Sequence, residues 1–94
     1  MAYILSIETS TQICSIALHQ NGVLIDSEVN DGKGAHSQLL MRMISDLLDR
    51  CNISARELSA IAISEGPGSY TGLRIGVSTA KGLAFAWDLP LISV

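Results

Sequence analysis

Aromatic side chains and long apolar runs are both scarce in this sequence of 94 residues. It contains one Phe, one Trp and two Tyr, so a core must be built from aliphatic side chains. Its unbroken apolar runs extend over only a few residues, whereas a membrane-spanning helix needs about 20. An apolar content of 48% is nevertheless too high for a disordered chain. The sequence therefore predicts one compact domain that does not span a membrane.

Basic residues and cysteines are also few. Six basic residues stand against nine acidic ones, and they do not cluster, which argues against direct binding of nucleic acid. The two cysteines, Cys14 and Cys51, show no CxxC spacing, and free thiols are favoured over a disulfide. The N-terminal residues show neither a basic segment nor a long apolar segment, so no secretory signal is expected. These features together predict a cytoplasmic protein.

The first third of the chain has the pattern of a three-stranded antiparallel sheet. Apolar and polar residues alternate at 3–8, 13–19 and 23–29, which predicts three strands. The first two are joined by a short turn rich in hydroxyl groups. Asn21 and Gly22 join the last two and form the dipeptide most favoured in type I′ hairpin turns.

The rest of the chain alternates between helical and strand patterns. Helices are predicted at 35–51 and 72–87, and strands at 60–65 and from residue 91 onward. A capping box beginning at Ser54 predicts a short helical turn between them. The order β-β-β-α-β-α-β predicts an α/β fold with a mixed five-stranded sheet, three strands antiparallel and two parallel. Because the sequence stops inside an apolar strand, we expect it to be the N-terminal subdomain of a longer, two-domain protein.

Two turns are candidates for holding a phosphate group. The first contains Glu8, Thr9, Ser10 and Thr11, whose hydroxyl and backbone N–H groups could cradle an anion. The second lies between a strand and a helix and contains Gly66, Gly68 and Ser69. Its glycine spacing matches neither a P-loop nor a dinucleotide fingerprint. For the first turn, hydroxyl groups that bond only to their own backbone are the favoured explanation. The second turn is explained equally well as a tight connection between a strand and a helix.

The second predicted helix is apolar on most sides, which indicates burial on most sides. Small residues recur every four positions in two rows. One row contains Gly72, Gly76, Ala80 and Ala84, and the other contains Ser78, Gly82 and Ala86. Such rows let a neighbouring helix approach closely. Either another protein or a further part of the same chain could supply that cover. The two histidines show no ligand spacing, so no metal site is predicted.

Five stretches of the sequence resemble the TsaB (YeaZ) family. They are 7–11 (IETST), 14–18 (CSIAL), 36–38 (HSQ), 66–76 (GPGSYTGLRIG) and 81–84 (KGLA). The resemblance covers the whole chain and is most specific in the glycine-rich stretch. It implies the N-terminal half of an actin-like ATPase domain with ribonuclease-H-like topology. It also implies a role in the threonylcarbamoyl modification of adenosine 37 in tRNAs that read codons beginning with A.

The resemblance further implies a non-catalytic subunit that acts through its helices. Its expected partners are a TsaD-like catalytic relative and a TsaE-like ATPase, with tRNA contacted only indirectly. Alone, the chain is expected to form a homodimer, and a truncated chain is expected to self-associate or exchange elements. The interface is assigned to these residues: His36, Leu39, Met43, Gly72, Ile75, Gly76, Thr79, Ala80 and Leu83. No cofactor is expected beyond weak binding of ATP and Mg²⁺, and the alternative is an ATP-binding half-domain of an actin-like kinase or ATPase.

Overall fold

The computed structural model describes residues 2–9, 13–30, 36–64 and 70–94. Within these residues the strands and helices follow the predicted order β-β-β-α-β-α-β. They are β1 (Tyr3–Thr9), β2 (Cys14–Gln20), β3 (Val23–Asn30), α1 (Ser37–Cys51), β4 (Leu58–Ile63), α2 (Tyr70–Trp87) and β5 (Leu91–Ser93). A single 3₁₀ turn, Ala55–Glu57, precedes β4, and the Ser54 amide there donates to the Glu57 carboxylate at 2.8 Å. The predicted capping box is thus confirmed.

The sheet is mixed, with strand order β3-β2-β1-β4-β5. Strands β1, β2 and β3 pair antiparallel, whereas β1–β4 and β4–β5 pair parallel. This arrangement confirms the predicted α/β architecture. Most element boundaries differ from the predicted ones by one or two residues, which is the usual uncertainty at element ends.

The hairpin between β2 and β3 turns at Asn21 and Gly22, as predicted. Both residues have positive φ, 52° and 83°, which is the requirement of a type I′ turn. The Asn21 amide also donates to the Ala2 carbonyl at 3.0 Å, so the turn is tied to the residue before β1. This closure fixes the register in which Gln20 lies opposite Tyr3.

Both helices pack on the same face of the sheet. Side chains alternate along β1, so Leu5, Ile7 and Thr9 are buried whereas Glu8 is exposed. Helix α1 contacts β2 and β3, and α2 contacts β1 and β4. The core therefore lies between one sheet face and two adjacent helices, which contact each other. Neither described helix is long and apolar enough to cross a bilayer.

An exposed ion-pair cluster ties the end of α1 to the edge strand β3. The Arg50 guanidinium donates to Asp26 at 3.1 Å and to Glu28 at 2.8 Å. Asp26 also accepts a hydrogen bond from the Ser27 amide at 2.8 Å. The Ser27 amide, and next the Arg50 guanidinium, hold the pKa of the Asp26 carboxyl below its usual range. A carboxyl with a lowered pKa stabilises the fold above its unfolded pKa, and this stabilisation is lost as the pH falls through the folded pKa.

Removing the guanidinium in Arg50→Gln is expected to raise the pKa of Asp26 without restoring its ordinary value. The Ser27 amide remains as a donor, and it is the larger cause of the shift. Carboxyl chemical shifts followed by NMR titration measure this pKa directly. The matched control is Arg42→Gln, because Arg42 is exposed on the same helix and outside this cluster. An Asp26 pKa that moves equally in both variants would contradict the assignment.

Candidate functional site

The two described residues of the first candidate phosphate turn point in opposite directions. Thr9 is buried and Glu8 is exposed, since successive side chains of a strand lie on opposite faces. The Thr9 hydroxyl donates to the Gly72 carbonyl of α2 at 2.6 Å. The Thr9 hydroxyl proton is therefore not free for a phosphate, and the assignment of Thr9 to a phosphate site stays a prediction. Its single hydroxyl proton is already used to join β1 to the first turn of α2.

The contact between Thr9 and α2 depends on the absence of a side chain at Gly76. A Cβ atom built at Gly76 would overlap the Thr9 hydroxyl and would lie 3.3 Å from the Ile63 side chain. At Gly76, α2 consequently lies close to both β1 and β4. The glycine in a helix interior, which costs about 0.5–1 kcal/mol relative to alanine, is explained by this approach.

The remaining candidate phosphate residues lie outside the described residues. They are Ser10, Thr11, Gly66, Gly68 and Ser69. Their assignment, like that of Glu8, stays a prediction. Among the residues that the structure describes, no group of three or more His, Cys, Asp or Glu side chains is placed to hold a metal ion.

Most residues assigned to a partner interface belong instead to the core of this chain. Met43 and Ala80 have no exposed surface, and Leu39 and Leu83 are 6% and 7% exposed. Gly72 and Gly76 are buried as well. Their assignment to the interface stays a prediction, although burial leaves these six residues little surface to offer a partner. The physical reason is that the row beginning at Gly72 and Gly76 packs against the sheet.

Three of the assigned interface residues keep some exposed surface. Ile75 and Thr79 are half-buried on the flank of α2. His36 is exposed and caps α1, since its Nδ1 accepts a hydrogen bond from the Leu39 amide at 3.2 Å. The first backbone N–H groups of a helix have no partner within the helix, and the cap supplies a partner for one of them. For these three residues the interface assignment stays a prediction.

The outward sides of the two helices carry a different set of residues, which we call the outer helical surface. It consists of Met41 on α1 and of Ser78, Gly82, Phe85 and Ala86 on α2, all of them exposed. The Phe85 side chain is 90% exposed and that of Met41 is 43% exposed. A Cβ atom built at Gly82 would meet nothing within 4 Å. This surface thus combines exposed apolar side chains with a narrow, uncrowded helix backbone.

The sequence contained a signal for this surface. Arg74, Ser78 and Lys81 form a polar strip, and all three are exposed. On a helical wheel Phe85 falls within that strip, opposite Gly76. An aromatic residue inside a polar strip is expected to be exposed. This signal indicates that the second row of small residues, which contains Gly82, faces outward and that the first row, which contains Gly76, does not.

Both thiols are free, as predicted. Cys14 is buried, and burial raises the pKa of its thiol, with the Glu28 carboxylate adding to the effect. Cys51 is half-buried, and burial raises its pKa too, with a further contribution from Asp26. A raised pKa keeps a thiol protonated at neutral pH, and the protonated thiol is a weaker nucleophile than the thiolate.

Comparison with known proteins gives consistent matches along the chain. Residues 27–94 match the family described as TsaD, tRNA N6-adenosine threonylcarbamoyltransferase. Two curated relatives are the TsaB proteins of Escherichia coli and Bacillus subtilis, 38% and 41% identical over 97% of this chain. The chain spans about two fifths of the length of these relatives (39% and 40%).

Solved structures agree with the sequence matches. YeaZ from Pseudomonas aeruginosa superposes with a TM-score of 0.90 at 38% identity, covering all of this chain and 44% of that one. RuvC from T. thermophilus, with a TM-score of 0.65 at 12% identity over all of this chain and 64% of that one, shares the fold alone. The predicted α/β fold and the predicted family resemblance are therefore both confirmed. The chain belongs to the TsaD family of tRNA N6-adenosine threonylcarbamoyltransferases and, within it, to the TsaB (YeaZ) group.

Proposed function

We propose that this chain is part of a non-catalytic subunit needed to add the threonylcarbamoyl group to adenosine 37 of tRNA. Its membership in the TsaB group supports the pathway, since the curated relatives are described as tRNA threonylcarbamoyladenosine biosynthesis proteins. The subunit acts by binding a TsaD-like catalytic relative. In the same proposal it helps to recruit a TsaE-like ATPase, and it forms a homodimer when alone.

The observation that carries this proposal is the outer helical surface. Phe85 and Met41 are exposed apolar side chains on two helices that contact each other, and exposed apolar area is typical of protein interaction sites. Ser78, Gly82 and Ala86 form the second row of small residues, and this row is the exposed one. A partner helix can approach closely along such a row. The surface therefore offers both apolar area and room for a helix.

The charge of the chain favours an indirect relation to tRNA. With six basic and nine acidic residues, the chain has a net charge of −3 at pH 7. Affinity for nucleic acid depends mainly on Lys and Arg contacts to phosphates. We therefore assign the tRNA contacts of the assembly to its partners.

The alternative function, an ATP-binding half-domain, has weaker support. It requires the turn after β1 to present a carboxylate and hydroxyl groups to the same phosphate. Glu8 and Thr9 lie on opposite faces of the sheet, and the Thr9 hydroxyl is bonded to α2. We therefore propose no cofactor for this chain, with ATP and Mg²⁺ bound weakly at most.

Introducing a long side chain at Gly82 is expected to separate the chain from its TsaD-like partner. In Gly82→Arg the new side chain extends into the space a partner helix would occupy, while nothing within this chain obstructs it. We expect the affinity for the TsaD-like protein to fall at least tenfold. The measurement is surface plasmon resonance with the 94-residue chain immobilised.

Gly82→Ala is the matched control for this experiment. It adds a single methyl group, which leaves most of the space for a partner helix open. Binding is therefore expected to stay within about threefold of the original affinity. Circular dichroism should show both variants folded, because glycine is the poorer helix former at this position. Equal binding by Gly82→Arg and the unmodified chain would show that the partner surface lies elsewhere.

A further inference from the structure

Strand β3 forms one edge of the sheet, and much of its surface is apolar. It pairs with β2 along one side, and no other described strand pairs with it. Four of its eight residues are large apolar side chains that are 45–64% exposed: Val23, Leu24, Ile25 and Val29. A long apolar edge strand is a template on which a further strand can pair. Such pairing is expected at β3 unless something blocks it.

Two side chains cover the middle of this edge. The Ser27 amide donates to the Asp26 carboxylate at 2.8 Å, and the Ser27 carbonyl accepts from the Arg50 guanidinium at 3.4 Å. In an antiparallel pair, alternate residues bond to the partner strand while the residues between them point their backbone groups away from it. Both backbone groups of Ser27 bond to side chains, so they face away from β2. Asp26 and Arg50 thus occupy a backbone donor and acceptor that a further strand would need.

The Arg50 guanidinium is held along the edge by three consecutive residues of β3. Its Nε donates to Asp26 at 3.1 Å, its Nη1 donates to Glu28 at 2.8 Å, and its Nη2 reaches the Ser27 carbonyl between them. A guanidinium is planar and presents its donors in a fixed arrangement, so one group can serve all three acceptors. A strand that paired with β3 at Ser27 would have to displace this group and break its hydrogen bonds.

We propose that Asp26, Glu28 and Arg50 form an edge block, which prevents a further strand from pairing with β3. The strand that it excludes is β3 of a second copy. The edge block acts on the sheet and lies apart from the outer helical surface. The proposal is therefore independent of the function proposed above.

The second copy is the occupant because β3 is complementary to itself except at the edge block. An antiparallel pair centred on Ser27 would place Ile25 opposite Val29 of the second copy, and apolar pairs across strands are stabilising. The same pair would place Asp26 opposite Glu28 of the second copy, and like charges directly opposite each other are destabilising. The edge block thus opposes this pairing both by covering the backbone and by its charge.

Removing both side chains that cover Ser27 tests the edge block without altering net charge. Asp26→Ala/Arg50→Ala loses one acidic and one basic group, so the net charge stays at −3. We expect sheet-type association, followed by thioflavin T fluorescence at equal protein concentration, to proceed about tenfold faster than in the unmodified chain. Arg50→Ala alone keeps the bond between Asp26 and the Ser27 amide, so its rate should be intermediate.

Arg42→Ala/Asp46→Ala is the matched control. Both side chains are exposed on α1, both lie outside the edge block, and their joint removal also leaves the net charge unchanged. Its rate of association is expected to stay within about threefold of that of the unmodified chain, as for other surface substitutions. Circular dichroism establishes that each variant is folded before association begins. If Asp26→Ala/Arg50→Ala is unfolded, Arg50→Ala alone decides the test by the same measurement.

Hydrogen exchange followed by NMR locates the new contact. In the associated Asp26→Ala/Arg50→Ala chain, the Ser27 amide should exchange about tenfold more slowly than in the monomer, because a strand of another chain replaces Asp26 as its partner. Adding Val29→Lys, which places a charge on the edge, should return association to the original rate. Equal rates in the two double variants would overturn the proposal. So would association that leaves the Ser27 amide unprotected and protects only amides of the helices.

Discussion

Replacing Gly76 by alanine is expected to lower the free energy of unfolding by roughly 2–4 kcal/mol. The added methyl group would occupy the space of the Thr9 side chain, whose hydroxyl bonds to the Gly72 carbonyl. Either that hydrogen bond breaks or α2 moves away from β1 and β4. The greater helix propensity of alanine offsets only about 1 kcal/mol of this cost. Urea denaturation followed by circular dichroism measures the change.

Gly82→Ala is the control within the same helix. Since a Cβ atom there meets nothing within 4 Å, the substitution is expected to stabilise the domain by about 0.5–1 kcal/mol. The free energy of unfolding is thus expected to fall in Gly76→Ala and to rise in Gly82→Ala. Because both changes add the same methyl group to one helix, the difference between them measures the effect of tertiary packing apart from helix propensity. Adding Thr9→Ala to Gly76→Ala should recover at least about 1 kcal/mol relative to additivity, since it removes the obstructing atoms. Two glycines that respond alike would show that α2 does not depend on its contact with Thr9.

Truncating Met43 to alanine is expected to destabilise the domain by about 2–5 kcal/mol, which is a large share of the 5–15 kcal/mol typical of a domain. The Met43 side chain has no exposed surface and belongs to the core between α1 and the sheet. The cost is the lost burial plus the cavity left behind. Thermal or urea unfolding measures it.

Met41→Ala is the matched control two residues away. Its side chain is 43% exposed, so the free energy of unfolding should change by less than about 1 kcal/mol. Because Met41 belongs to the outer helical surface, this variant is expected to weaken binding to the TsaD-like protein instead. If Met43→Ala left stability unchanged and weakened binding to the TsaD-like protein, the assignment of Met43 to the partner interface would be supported instead.

Much of the fold could be predicted from local patterns. The alternation in β1, β2 and β3 and the Asn21–Gly22 turn define three antiparallel strands, because hairpins depend on neighbours in sequence. Leu40, Ile44 and Leu47 likewise recur at helical spacing on one face of α1, and all three are buried. These features are local, so a single sequence is sufficient to predict them.

The candidate site was predicted less well, for a definite reason. Helix α2 is apolar on most of its sides, so the period of its residues does not specify a single inward face. Both small-residue rows fit a close helix contact equally well. The choice between them depends on Thr9 and Ile63, which are distant in sequence and reach α2 only after β1 and β4 pair.

By itself, the sequence determined the order of the elements, the hairpin, the family and the presence of a helix suited to close packing. Tertiary structure alone decided that Gly76 and Ala80 face the sheet while Gly82 and Phe85 face outward. The reason is that spacing along a helix specifies which residues share a face. Only the partner of that face, here a buried threonine with a hydroxyl to satisfy, specifies which way the face turns.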